Sequence, residues 1–430
     1  MNALRISILA AAMAGIDVQM AMASQQSEAQ GLLEDSRMTL TNRNYYYNHD
    51  SRDGAQDRRD WAQAMLLNYR SGFTQGTVGF GVDAFANGVL KLDEQGDGFG
   101  NVAIDNDGDS DSFSHVGGAV KLRVSNTVLK YGIVQPVAPV FAAGGSRILP
   151  QSVQGFLLQS AELDGLSLQG GHFTAATGYR GSSNHDPIKS FYTGIEADSV
   201  DYLGGDYRVS DNLSVALYAG RFEDIWRQYY GGANYTLPIG EQSLNLSFNL
   251  YRSQDEGRAL VGAIDNTAWS LAAAYTLGAH RLTLAWQQIH GDEPFDYAGF
   301  GAENSGGDSI YLANSVQYSD FNGPNEKSAQ IRYDLDLASL GVPGLSFMTR
   351  YLYGYDIDGS DADASGAYAG MYAADDKERE IDIELKYVVQ SGPAKDLTLR
   401  ARQMWHRGDA STGGDLDQIR LMFEYPLDIL

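Results

Sequence analysis

Arginines placed two residues apart on an alternating segment can bind anions, and LTLRARQ (Leu397 to Gln403) supplies such a pair. Successive side chains of a strand point to opposite faces, so Arg400 and Arg402 share one face with Thr398, while Leu397, Leu399 and Ala401 share the other. The same register collects Arg332 in QIRYD, Arg350 in SFMTRY, Lys386 in EIDIELKYV and Arg420 in QIRLMFEYPL, with Lys121 and Arg123 in GAVKLRV. A row of cations on a polar wall attracts small anions and passes them along. The plainer reading of each cation is an ion pair with an inward carboxylate such as Asp382, Glu384 or Glu424. In either case the arginine face needs water or counter-charge, because an unpaired cation in a dry interior is costly.

Covalent and metal chemistry finds little support. The chain has no cysteine, so it offers no disulfide framework, zinc-thiolate site or thiol nucleophile. It lacks G-x-S-x-G, P-loop and H-E-x-x-H motifs, and its seven histidines are scattered. DNDGDSD (Asp105 to Asp111) alternates acids as a calcium loop does, but lacks the glycine and glutamate of an EF-hand; it reads as a solvated acidic loop. GFGVDA (Gly79 to Ala84) echoes a dinucleotide fingerprint with no crossover helix after it, and reads as strand. No cofactor is called for. A catalytic site assembled from distant residues is the enzymatic alternative.

The elements that must carry these cations are two-faced strands. SLNLSFNLYR sets Leu244, Leu246, Phe248 and Leu250 against Ser243, Asn245, Ser247 and Asn249, and EIDIELKYV sets Ile381, Ile383, Leu385 and Tyr387 against Asp382, Glu384 and Lys386. Connections come in two kinds. Short turns follow a tyrosine, as in YRVSDNLSV, YTLPIGEQSLNL and YTLGAHRLTL, whereas long Gly, Asp and Ser-rich segments such as Tyr355 to Gly366 lie between the hairpins. Short turns at one end and long loops at the other mark an antiparallel transmembrane β-barrel. Tyr207, Tyr235, Tyr275, Tyr333 and Tyr387 stand just before short turns, as an aromatic girdle at one membrane interface would. On this reading lipid lies beyond Leu399, and Arg400 and Arg402 face a wet lumen.

Composition agrees with export. A net charge of −24 over 430 residues argues against a nucleic-acid surface, which draws on clustered Lys and Arg. MNALRISILAAAMAGIDVQMAMASQQ reads as a signal peptide, with Arg5 as its charged region, Ile6 to Ile16 as its apolar stretch and cleavage after Ala23; residues 24–430 then form the barrel. No later run approaches the roughly 20 apolar residues of a membrane helix.

Several blocks resemble the OprD family of outer-membrane porins: EDSRMTLTNRNYYYNHD (Glu34 to Asp50), DWAQAMLLNYRSGFTQGTVGFGVDAF (Asp60 to Phe85), SRILPQ (Ser146 to Gln151), LANSVQYSDFNGPNEKS (Leu312 to Ser328) and GVPGLSFMTRY (Gly341 to Tyr351). The resemblance runs from Gly31 to the C-terminus. It implies an 18-stranded barrel of a Gram-negative outer membrane, surrounded by lipid and lipopolysaccharide and monomeric or weakly self-associating. It also implies a narrow pore for carboxylate-bearing solutes, an infolded third loop and a basic ladder. By that resemblance PVAPVFAAGGSRILPQ (Pro136 to Gln151) is the constriction loop with Arg147 facing the pore, and Arg43, Lys386, Arg400, Arg402 and Arg420 form the ladder. Asp308 and Tyr311 in GGDSIYLANS are then the acidic and hydrogen-bonding side. Because the wall charge visible in the sequence is cationic, the expected solutes are monoanionic organic acids; basic amino acids and small peptides are the alternative. A plugged barrel that binds partners at its surface is a different class of reading.

Overall fold

The computed structural model describes residues 26–95 and 111–430, so the expected signal peptide and most of the acidic segment Asp105 to Asp111 lie outside the described residues. One antiparallel sheet dominates. Its eighteen strands in chain order are β1 (Arg37–Ser51), β2 (Arg58–Arg70), β3 (Val78–Gln95), β4 (Ser112–Val124), β5 (Thr127–Val134), β6 (Ser152–Leu163), β7 (Leu166–Thr177), β8 (Val200–Arg208) and β9 (Leu213–Phe222). They continue as β10 (Trp226–Ile239), β11 (Gln242–Asp255), β12 (Asp265–Leu277), β13 (His280–His290), β14 (Lys327–Asp336), β15 (Leu345–Ile357), β16 (Asp376–Val388), β17 (Thr398–Gly408) and β18 (Leu416–Asp428).

Each strand pairs with its chain neighbours, and β1 pairs with β18 from Thr39–Asp428 to Ser51–Leu416, which closes the sheet into a barrel. Closure removes the edges, so every strand can satisfy its backbone groups without water, as a bilayer demands. The chain reaches this meander because alternation is sustained through every strand and the turns at one end are tight. Two-residue turns at Gly240–Glu241 and Gly278–Ala279 place glycine at φ +62° and +57°, backbone that a side chain would strain. Among the described residues no helix is long and apolar enough to cross a membrane.

The outer face is apolar. Leu217, Leu237, Leu246, Phe248, Leu271, Leu284, Ile331, Ile381, Leu385 and Phe423 are all exposed, and their alternates point inward. Tyr207, Tyr235 and Tyr275 are exposed beside the short turns, while Tyr333 and Tyr387 are half-buried. The inside is filled from the long end. The connection of residues 135–151, loop 3, and that of residues 291–326, loop 7, fold into the barrel. Phe141 of loop 3 is buried among Phe173, Phe222 and Phe300, while Ile148 and Leu149 pack with Tyr45, Tyr47, Ala62 and Leu66. Loop 3 therefore spans the lumen from the β7–β9 wall to the β1–β2 wall.

Candidate functional site

The cations expected on the wall do point inward, and their register brings most of them together. Arg402 stands opposite Arg420 on one side and Glu384 on the other; Arg400 stands opposite Lys386 and Met422; Arg43 stands opposite Glu424. Carboxylates claim a part of this charge. Arg43 binds Glu424 at 2.8 Å, Arg350 binds the fully buried Asp382 at 2.5 Å, and Arg332 binds Asp334 at 2.7 Å. Glu384 is shared, in a short contact with Arg402 and at 3.9 Å from Arg400. For these residues the ion pairs with inward carboxylates are present.

What remains is an excess of positive charge. Among the described residues Lys386, Arg147 and Arg420 form no salt bridge, and Nε of Arg400 is buried without a hydrogen-bond partner. Arg420 is held by neutral groups, donating to Gln418 Oε1 at 2.7 Å and to the Gln317 carbonyl at 2.8 Å, with its guanidinium 5.1 Å from the Tyr47 ring. Arg147 lies against two rings, 5.5 Å from Tyr47 and 5.8 Å from Tyr179. Aromatic faces attract a guanidinium and hold it in place; Arg147 is half-buried, whereas Arg420 is buried at 5% exposure. Arg400 and Arg402 keep about a fifth of their side-chain surface open to solvent (20% and 22%), so this wall is wet.

Two expected members stand apart. Lys121 and Arg123 lie at the short-turn end of β4, where Lys121 binds Asp83 and the Ser71 carbonyl at 2.7 Å each. Arg123 donates to Gln26 Oε1 at 2.8 Å and stacks 4.1 Å over Phe73. They join the segment around Gln26 to the first short turn and are remote from the loops that narrow the pore. Arg43 also anchors loop 3, donating to the Arg147 carbonyl at 2.6 Å.

The loops bring an acidic counterpart. Asp308 of loop 7 accepts from the Gly145 N–H at 3.4 Å, two residues from Arg147, and its own N–H bonds the Ala142 carbonyl at 3.1 Å. Its residue surface is open to solvent, yet the protein packed around it raises its pKa above the ordinary carboxylate range despite the nearby Arg147 charge. Tyr311 is turned differently from the expected role: its hydroxyl donates to the Val137 carbonyl at 3.1 Å and burial pushes it up to about 12, so it braces the two loops.

Sequence reasoning passed over the residues that hold these loops. Gln151 is completely buried, accepts from the Gly144 N–H at 2.7 Å and donates to the Ser305 and Gly306 carbonyls at 3.0 and 3.1 Å. Asp296 is buried between loops, accepting from Ser190, from Tyr368 at 2.9 Å and from the Tyr297 N–H at 2.7 Å; burial pushes its pKa up to about 6. Glu380 of β16 accepts from the N–H groups of Tyr318 and Ser319 at 3.1 and 2.9 Å, pinning loop 7 to the basic wall. A polar residue at the end of the SRILPQ block was the available signal for Gln151; nothing local marked the others. Among the described residues no cluster of acids and histidines could hold a metal ion.

A closed barrel with an apolar outer band, a charged wet wall and two infolded loops defines an outer-membrane porin. The chain belongs to the OprD family: a family model described as outer membrane porin, OprD family, matches residues 30–429. It is 54% identical to Porin D of Pseudomonas aeruginosa over the full length of both chains, and 33% identical to the porin-like protein GalP of Pseudomonas putida over 94% of this chain and 95% of that one. The crystal structure of Pseudomonas aeruginosa OprD is similar at a TM-score of 0.85 and 54% identity, covering 95% of this chain and 100% of that one. That of Pseudomonas aeruginosa OpdK with vanillate is similar at 0.83 and 34% identity, covering 93% and 100%.

Proposed function

We propose that this porin passes small carboxylate-bearing solutes, and that those it suits best carry a cation as well, as basic amino acids do. The observation that carries this reading is the pairing of a cationic wall with a solvent-open Asp308 beside Arg147. A carboxylate moves along Lys386, Arg400 and Arg402, each attraction weak enough to release it, with the buried Arg420 adding to the field behind them, while Asp308 receives the positive group at the narrow point. Glu384 and Glu424 neutralise enough of the wall to prevent tight capture. No covalent step is involved; the protein supplies a path and a charge pattern.

A second reading keeps the wall and dispenses with the cation: monoanionic organic acids, which the sequence alone favours. The vanillate in the OpdK structure, an aromatic carboxylate in a relative 34% identical to this chain, supports it. Flux into liposomes separates the two. Arginine faster than benzoate at matched concentration supports the first reading, benzoate faster supports the second, and no flux of either returns to a plugged barrel.

A further inference from the structure

The outer face of the barrel carries two arginines directly opposite each other, Arg379 of β16 and Arg407 of β17. Opposed like charges on neighbouring strands destabilise a sheet, the more so beside hydrocarbon, where little water screens them. Arg407 is partly neutralised, with Nη1 2.7 Å from Asp417 and Nε 3.9 Å from Asp415. Arg379 is exposed and forms no salt bridge among the described residues. The pair rims a groove of about 250 Å³ whose floor is Tyr351, Ile381 and Trp405.

The height of the pair matters. Arg379 lies three residues inside the long-loop end of β16, roughly 10 Å at a strand's rise per residue, with the exposed Ile381 and Leu385 continuing the apolar band below it. Trp405, Tyr351 and Tyr353 mark the same level as a membrane interface. The long-loop end of an outer-membrane barrel faces outward, so this level meets the head groups of the outer leaflet.

We infer that Arg379 and Arg407 hold a phosphate of the phosphorylated glycolipid of that leaflet, lipid A. Arg407 Nη1 already donates to the His406 and Leu416 carbonyls at 2.6 and 2.9 Å, so a phosphate diester or monoester accepts chiefly from the Arg379 fork and from the remaining N–H groups of Arg407, reducing their repulsion, and the sugar lies against Trp405 and Tyr351 while acyl chains run down past Ile381. The site is outside the lumen and independent of which solute the pore passes.

Native mass spectrometry of the full-length protein in detergent tests this. Wild type should retain bisphosphorylated lipid A at least tenfold more strongly than Arg379→Glu, with Arg379→Lys intermediate, and inorganic phosphate at large excess should not displace it. Heat-modifiable migration and unchanged channel conductance establish that Arg379→Glu is folded. Equal retention by folded wild type and Arg379→Glu overturns the site, as does equal retention of fully dephosphorylated lipid A. Displacement by inorganic phosphate alone would show a free-anion site and overturn the assignment to lipid.

Discussion

At the scale of single residues, charge is left incomplete on one wall. Glu384 lies between Arg400 and Arg402, and Lys386, Arg147 and Arg420 have no acid of their own among the described residues. Glu384→Gln should therefore increase anion selectivity by releasing both arginines, read as a shift of the reversal potential towards that of the anion under a salt gradient; no shift would place the arginines outside the conducting path. Asp308 gives a pH signature. Its pKa is raised by the protein packed around it, so as pH falls it is neutralised before ordinary carboxylates are, and arginine flux should start to fall relative to benzoate flux at a higher pH than ordinary carboxylates would give. In Asp308→Asn this early fall should be absent. The buried pair of Arg350 and Asp382 differs in kind, since Arg350→Ala strands a carboxylate with no access to water and should cost about 3–5 kcal/mol in refolding titrations.

Loops and strands divide the labour between position and insulation. The strands present their charges by simple alternation, which is why the wall was legible in LTLRARQ, EIDIELKYV and QIRLMFEYPL. The lumenal side of the loops was not, because it depends on contacts between segments far apart in the chain: Gln151 with Ser305, Arg43 with Arg147, Glu380 with Ser319. Resemblance to a family supplied Arg147 and Asp308, and it placed Arg43 in the ladder without showing that Arg43 braces loop 3. Alternation also placed Lys121 and Arg123 inward, correctly, yet it carries no information about height along the barrel, and both lie at the far end from the loops. Gln151→Ala removes a bond within loop 3 and the bonds from Gln151 to loop 7, and leaves the buried Gly144 N–H unpaired, at about 1–3 kcal/mol. Its single-channel current should become larger and noisier while the barrel remains folded; a current identical to wild type would show that the clamp lies elsewhere.

For the whole molecule, closure and the two-faced wall set what can change. Leu217 lies at the centre of β9 and is among the most exposed apolar residues at 70%, so Leu217→Arg should cost about 2–4 kcal/mol in lipid-refolding titrations. An isosteric change such as Leu217→Met should cost little, because the lipid face asks for hydrocarbon and not for a particular fit. The net charge of −24 is consistent with a basic wall because acids crowd the loops and the paired positions, whereas Lys386, Arg400, Arg402 and Arg420 cluster on the β16–β18 side of the lumen. The most direct test of that division is liposome flux of arginine and benzoate through Arg402→Ala and Asp308→Asn. Removing one wall cation should slow both solutes several-fold, on the order of 1 kcal/mol of lost attraction, and Asp308→Asn should slow arginine alone. Unchanged flux of both solutes through Arg402→Ala would contradict the cationic wall as the carboxylate path.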